Sequence, residues 1–182
     1  YGGGIWDHPQ LGAYYNAPGG RRGTAFASRR RVAEQVARKV KSPSPTFNCV
    51  GPAGVGTGSL AGMRALHQLS SFAHIWPFDD PGTVSRPLHL VEIFPSYYFA
   101  LAGIKPVNGA HGERENINQA LACFGSDFAS ADLQANGPDH DEADALISAA
   151  ALRWFSAQSD FWSVPADARA EGWIFGVKSA TP

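Results

Sequence analysis

Apolar residues recur with a helical period in some stretches of this chain and run together in others, so helices and strands are predicted to interleave. Residues 1–27, rich in Gly, Tyr and Pro, show no period and read as loop. A helix is predicted from Ser28, a good N-cap, because Val32, Val36 and Val40 recur every four residues; Ser42-Pro43-Ser44-Pro45 stops it. Gly51 to Gly58 leads into a second helix, about Ser59 to Phe72, with Leu60, Met63, Leu66 and Leu69 as its apolar positions. Ile75-Trp76-Pro77-Phe78 is a short apolar piece compatible with a strand, and Asp79 to Pro87 is a polar turn region. Leu88 to Phe94 is the clearest strand, apolar on both faces as in a covered sheet, and Pro95 ends it. A helix from about Ser96 to Leu101 runs to Gly103, 104–117 is loop, and a further helix is predicted over Ile117 to Phe124. Gly137-Pro138 breaks the chain before a helix at about 139–157, and Gly172 to Val177 is a closing apolar strand. The alternation predicts a single α/β layered domain over 1–182.

The formal net charge of −1 conceals an asymmetry. Residues 21–41 carry eight basic side chains against the single acid Glu34. Such a segment is an electrostatic footprint for phosphate, or else a solvated helix face. On the predicted helix, Arg29, Arg30 and Arg31 would oppose the helix dipole, a conflict relieved if they face an anion or water. No apolar run approaches the ~20 residues that would span a bilayer. The two cysteines, Cys49 and Cys123, lack metal spacing and read as free thiols, and no signal segment is visible, so a cytoplasmic location is expected. The only methionine is Met63, and the chain opens Tyr1-Gly2-Gly3-Gly4, which suggests processing or a missing preceding part.

Candidate chemistry sits in carboxylates. Asp141-Glu142-Ala143-Asp144-Ala145-Leu146 places Asp141 and Asp144 three apart at the start of an apolar helix. Paired carboxylates repel unless a proton or cation lies between them, and an oxygen-rich cluster suits Mg²⁺ or Mn²⁺. Asp139 and Glu142 have capping-box spacing, and Asp141 also complements the helix dipole. Asp144 falls at the edge of the stripe formed by Ala143, Leu146, Ile147, Ala150, Ala151, Trp154 and Phe155, where a carboxylate needs a partner: a metal or an ordinary salt bridge. Glu92 interrupts Leu90-Val91-Glu92-Ile93-Phe94 near a strand's carboxyl end, where open α/β sheets place their sites. It is either functional or a paired structural acid.

The order of these pieces resembles the RNase H-like nuclease superfamily. The Asp-Glu-Ala-Asp-Ala-Leu run is similar to the closing motif of bacterial Holliday-junction resolvases of that class. The wider pattern resembles a family catalogued as a domain of unknown function (number four hundred and twenty-nine), predicted to be RNase H-like nucleases. The matching pieces are Val91-Glu92-Ile93-Phe94-Pro95, the acidic helix and Glu171-Gly172-Trp173-Ile174-Phe175-Gly176, with Phe47-Asn48 through Gly51 and Gly56 to Met63 also fitting, over residues 29 to 177. The resemblance implies an RNase H-like layered fold, incomplete at the N-terminus. It implies Glu92 as the strand acid, Asp144 as the principal helix acid and Asp141 as its auxiliary. The family's first aspartate has no counterpart here; Asp7 lacks a flanking strand pattern. The implied chemistry is hydrolysis of DNA or RNA with two divalent ions, Mg²⁺ or Mn²⁺, roughly 3.5–4 Å apart. Arg29, Arg30, Arg31, Arg38 and Lys39 would hold the phosphate backbone. The alternative is a domain of the same fold that has lost catalysis and acts as a nucleic-acid-binding module or scaffold.

Other signals carry less. Gly56-Thr57-Gly58-Ser59-Leu60-Ala61 fits a dinucleotide fingerprint, but no hydrophobic strand precedes it. The six histidines show no metal spacing; His140 is notable only for adjoining the acidic run. Trp154, Phe155, Phe161, Trp162 and Trp173 read as core, with base stacking open to an exposed one.

Overall fold

The computed structural model describes residues 4–27, 29–49, 54–79, 85–104, 112–130 and 141–178. They form a mixed α/β structure of five α-helices and a small two-stranded parallel sheet. The helices are α1 (Val32–Ala37), α2 (Val55–Leu69), α3 (Pro95–Leu101), α4 (Arg114–Cys123) and α5 (Asp141–Ser156); the strands are β1 (Ala73–Ile75) and β2 (Leu88–Leu90). No helix among the described residues is long and apolar enough to cross a membrane.

β1 and β2 pair in register Ala73↔Leu88, His74↔His89 and Ile75↔Leu90. The predicted strand from Leu88 to Phe94 is shorter than its sequence suggests, because the chain changes neighbours midway. Leu90 closes the first ladder by accepting a hydrogen bond from Trp76 N at 3.0 Å. Two residues on, Glu92 forms an isolated parallel bridge with Ile174, its carbonyl accepting Phe175 N at 2.9 Å. The strand is also not covered on both faces: Leu88 is 49% exposed. The apolar piece at 75–78 contributes only its first residue to β1; Trp76 to Phe78 then turn, with Phe78 N bonding Ile75 O. The closing segment 172–177, predicted as a strand, is buried throughout and reaches the sheet by that single bridge.

The core lies where α3 and α4 pack on α5 and the 173–177 segment crosses them. Pro95 supplies the first turn of α3, where a missing N–H costs nothing. Tyr98, Ile117, Ile147, Phe155, Trp173 and Phe175 fill this core. The sequence stripe on α5 is largely the buried face, but Trp154 is 45% exposed and Ser148 is buried in its place. Gly137, Pro138, Asp139 and His140 lie outside the described residues.

The predicted helix from Ser28 to Lys41 is only six residues long. It starts at Val32 and leaves Val40 outside, 46% exposed. Arg29 to Arg31 therefore precede the helix, with Arg31 at its N-cap, where Glu34 and Glu92 offset the charge that would oppose the helix dipole. α2 begins one turn earlier than predicted, at Val55, so the Gly56-to-Ala61 fingerprint lies within the helix. Gly56 is needed for packing: a Cβ there would come within 2.5 Å of the Thr46 carbonyl oxygen.

Two predictions follow from the core. Gly176 has φ +85, and an added Cβ would meet the Phe155 ring at 2.5 Å. Gly176→Ala should lose about 1–3 kcal/mol from backbone strain alone, read as a lower urea midpoint. The Tyr98 hydroxyl donates to Phe175 O at 2.8 Å, and burial pushes its pKa up, as it does for Tyr97. The folded state then holds these protons more tightly than the unfolded chain. Stability should be fully kept below the ordinary phenol value of about 10 and fall as pH rises through it; Tyr98→Phe should flatten that fall in an alkaline unfolding series.

Candidate functional site

The strand acid Glu92 meets a cation supplied by the protein itself. Arg31 grips both carboxylate oxygens, Nη1 donating to Oε2 at 2.8 Å and Nη2 to Oε1 at 2.5 Å. This forked geometry is the strongest form of an arginine–carboxylate pair. The third face of the same guanidinium serves Glu34: Nε donates to Oε1 at 3.0 Å. Nη1 also reaches the Glu171 carbonyl at 3.3 Å. Burial works against the charge on Arg31, but the hydrogen bonds and charges of Glu92 and Glu34 outweigh it and raise the pKa above the ordinary guanidinium value.

Glu34 is fully buried and completely bonded. Its Oε2 accepts Arg31 N at 3.1 Å, while Oε1 accepts Thr46 N at 3.0 Å and the Thr46 hydroxyl as well as Arg31 Nε. The first contact is the returning half of a capping box on α1. Glu171 supplies a second cap from far along the chain, its Oε2 accepting Val32 N at 2.8 Å. Glu34, Glu92 and the Glu171 carbonyl thus converge on one guanidinium, and Thr46 joins the cluster through Glu34.

The two helix acids belong to another element. Asp141 and Glu142 are exposed in the first turn of α5, where their charge suits the helix dipole. Asp144 is half-buried beside the apolar face, where helical spacing predicts it. Among the described residues no group of three or more His, Cys, Asp or Glu side chains is placed to hold a metal ion. Glu92, Asp141 and Asp144 are oxygen donors of the right chemistry for Mg²⁺ or Mn²⁺, but the described structure does not gather them round one point, and Glu92 already gives both oxygens to Arg31.

The basic segment divides. Arg31, predicted as a phosphate contact, has a side chain only 13% exposed and is an internal cross-link. Arg30 is half-buried and bonds Pro43 O at 2.5 Å. Arg29, Arg38 and Lys39 are exposed. Asp7 pairs at 3.0 Å with Arg21 on the surface, in a short helical turn and not on a strand. Sequence reasoning missed Glu34, which looked like a lone acid among cations; its spacing of three from Arg31 was the available signal.

No family model, no curated protein and no solved structure matches this chain.

The Arg31 cluster yields a stability prediction. Arg31→Met leaves the Glu34 carboxylate buried without its cation, and breaking such a pair costs about 3–5 kcal/mol. Adding Glu34→Gln to that variant should recover part of the loss, since the stranded charge is then gone. Urea unfolding of both single variants and the double variant measures the coupling.

Proposed function

We propose that this chain is part of an RNase H-like domain, with Glu92, Asp141 and Asp144 as the carboxylates of a nucleic-acid phosphodiester hydrolase. The observation that carries the reading is the position of Glu92. It follows β2 at the carboxyl end of a parallel ladder and bridges to the segment after α5, and in open α/β sheets that is where sites gather. The acids at the start of α5 and the exposed Arg29, Arg38 and Lys39 support it. When bound, Mg²⁺ or Mn²⁺ would supply the charge that activates water and stabilises the leaving oxygen.

The grip of Arg31 on Glu92 favours a second reading. Here the same domain binds nucleic acid, or serves as a scaffold, with Glu92 as a structural acid.

Mn²⁺ titration by calorimetry, with cleavage assays on labelled single- and double-stranded DNA and RNA, separates the two. The hydrolase reading expects cation-dependent cleavage that Asp144→Asn and Glu92→Gln abolish. Absence of both Mn²⁺ affinity and cleavage overturns it. If strands still bind under those conditions, with affinity falling as salt rises, the binding module stands. Neutralising Arg29, Arg38 and Lys39 together should then make that salt dependence shallower.

A further inference from the structure

A cavity of about 290 Å³ opens beside the sheet, lined by Trp76, Pro77, Asp79, His89, Trp162, Val164 and Arg169. Its size is near the lower end for small-molecule pockets. The tryptophan side of the cavity is apolar. Trp76 is buried, packed edge-on against Trp162 with ring centroids 6.3 Å apart and against Phe175 at 5.1 Å. Both indole N–H groups are engaged by backbone carbonyls: Trp76 Nε1 donates to Trp162 O at 3.2 Å, and Trp162 Nε1 to Ser156 O at 2.9 Å. What the two tryptophans present to the cavity is therefore ring surface.

The walls are different. His89 is exposed, stacks on the buried His74 at 5.0 Å with planes 16° apart, and meets Trp162 at 5.4 Å and 65°. One ring entering here can stack on one of these faces and meet the other by its edge, the arrangement aromatic groups prefer. Arg169 stands exposed at the rim, and its guanidinium makes no ion pair or hydrogen bond among the described residues. Asp79 is fixed through Oδ2, which accepts Arg86 Nη1 at 2.9 Å and Ile75 N at 2.9 Å, so Oδ1 is the oxygen left to accept from a ligand.

We propose that this cavity is a nucleotide site, in which a nucleobase enters the Trp76–His89–Trp162 box and its phosphate meets Arg169. A flat aromatic ring suits the box, and an attached anion suits the uncommitted guanidinium. The carboxylate of Asp79 selects a base that carries an exocyclic amine and disfavours one that presents only carbonyl oxygens at that edge. The site does not depend on the carboxylate reading above, since none of its residues belongs to the Arg31 cluster. The base can come from a free nucleotide or from an unpaired position in a strand; the recognition chemistry is the same.

Quenching of tryptophan fluorescence and calorimetry with AMP, UMP, ribose 5-phosphate and a short oligo(dA) test the site on the whole chain. AMP should bind in the millimolar range or tighter, several-fold better than UMP, while ribose 5-phosphate should leave the fluorescence unchanged. His89→Ala and Arg169→Ala should each weaken AMP roughly tenfold. Both side chains are exposed, so far-UV circular dichroism should show both variants folded. Tighter binding of oligo(dA) than of AMP assigns the base to a strand, and equal or weaker binding assigns it to a free nucleotide; both support the site. No response to AMP or oligo(dA), or a response that neither substitution alters, overturns it.

Discussion

One guanidinium holds together parts of the chain that no regular element connects. Arg31 fixes Glu34 within its own helix turn, Glu92 at the end of the β2 ladder, and the carbonyl of Glu171. Each contact alone would be modest, because a half-exposed pair is screened by water and the Glu92 side chain is 43% exposed. The burial of Glu34 changes the balance. A carboxylate with no solvent exposure cannot keep its charge without a cation and several donors, and here it has Arg31 and both donors of Thr46. The short α1 exists on the same terms. Six residues are too few to be stable as an isolated helix, and its early N–H groups are satisfied by Glu34 and by the distant Glu171.

The segment 171–177 carries this constraint into the core. Glu171 caps α1, Gly172 at φ +81 passes close to Arg31 and Phe78, Ile174 bridges Glu92, and Phe175 accepts the Tyr98 hydroxyl. The left-handed backbone at Gly172 requires glycine, and an added Cβ would sit tightly against the Phe78 ring at 3.3 Å and the Arg31 guanidinium at 3.4 Å. The helical layer and the ion-pair cluster are consequently one mechanical unit, joined by a few buried residues of irregular backbone.

How legible this was in the sequence depended on the range of the interaction. Local pattern located α3, α5 and the Gly103 stop, because helical period and proline or glycine punctuation act within a few residues. The acid at Glu92 stood out as well, since a charge in an apolar run has to be explained. Its partner did not stand out: Arg31 lies 61 residues away and looked like one of a cluster of surface cations. The same non-local capping explains why the helix predicted from Ser28 is short, and the change of strand partners at Leu90 explains why β2 stops early. Neither event leaves a mark in periodicity.

The basic segment cannot perform as a uniform phosphate-binding stripe, since its members answer to different environments. Arg31 has its donors turned toward carboxylates and a carbonyl, and Arg30 toward Pro43 O, whereas Arg29, Arg38 and Lys39 face water. Their mobile charges suit long-range attraction, which needs no fixed geometry. Fixed recognition needs shaped surface, and one such concave surface is the cavity lined by Trp76, His89 and Trp162. The two features share their supports. β2 carries His89, and Glu92 follows two residues past its end; the 169–171 stretch carries Arg169 and Glu171; the turn after β1 carries Trp76 and Phe78. The aromatic wall and the Arg31 clamp are thus neighbours along the chain at three places, on either side of the point where the β2 ladder ends and the Glu92 bridge begins.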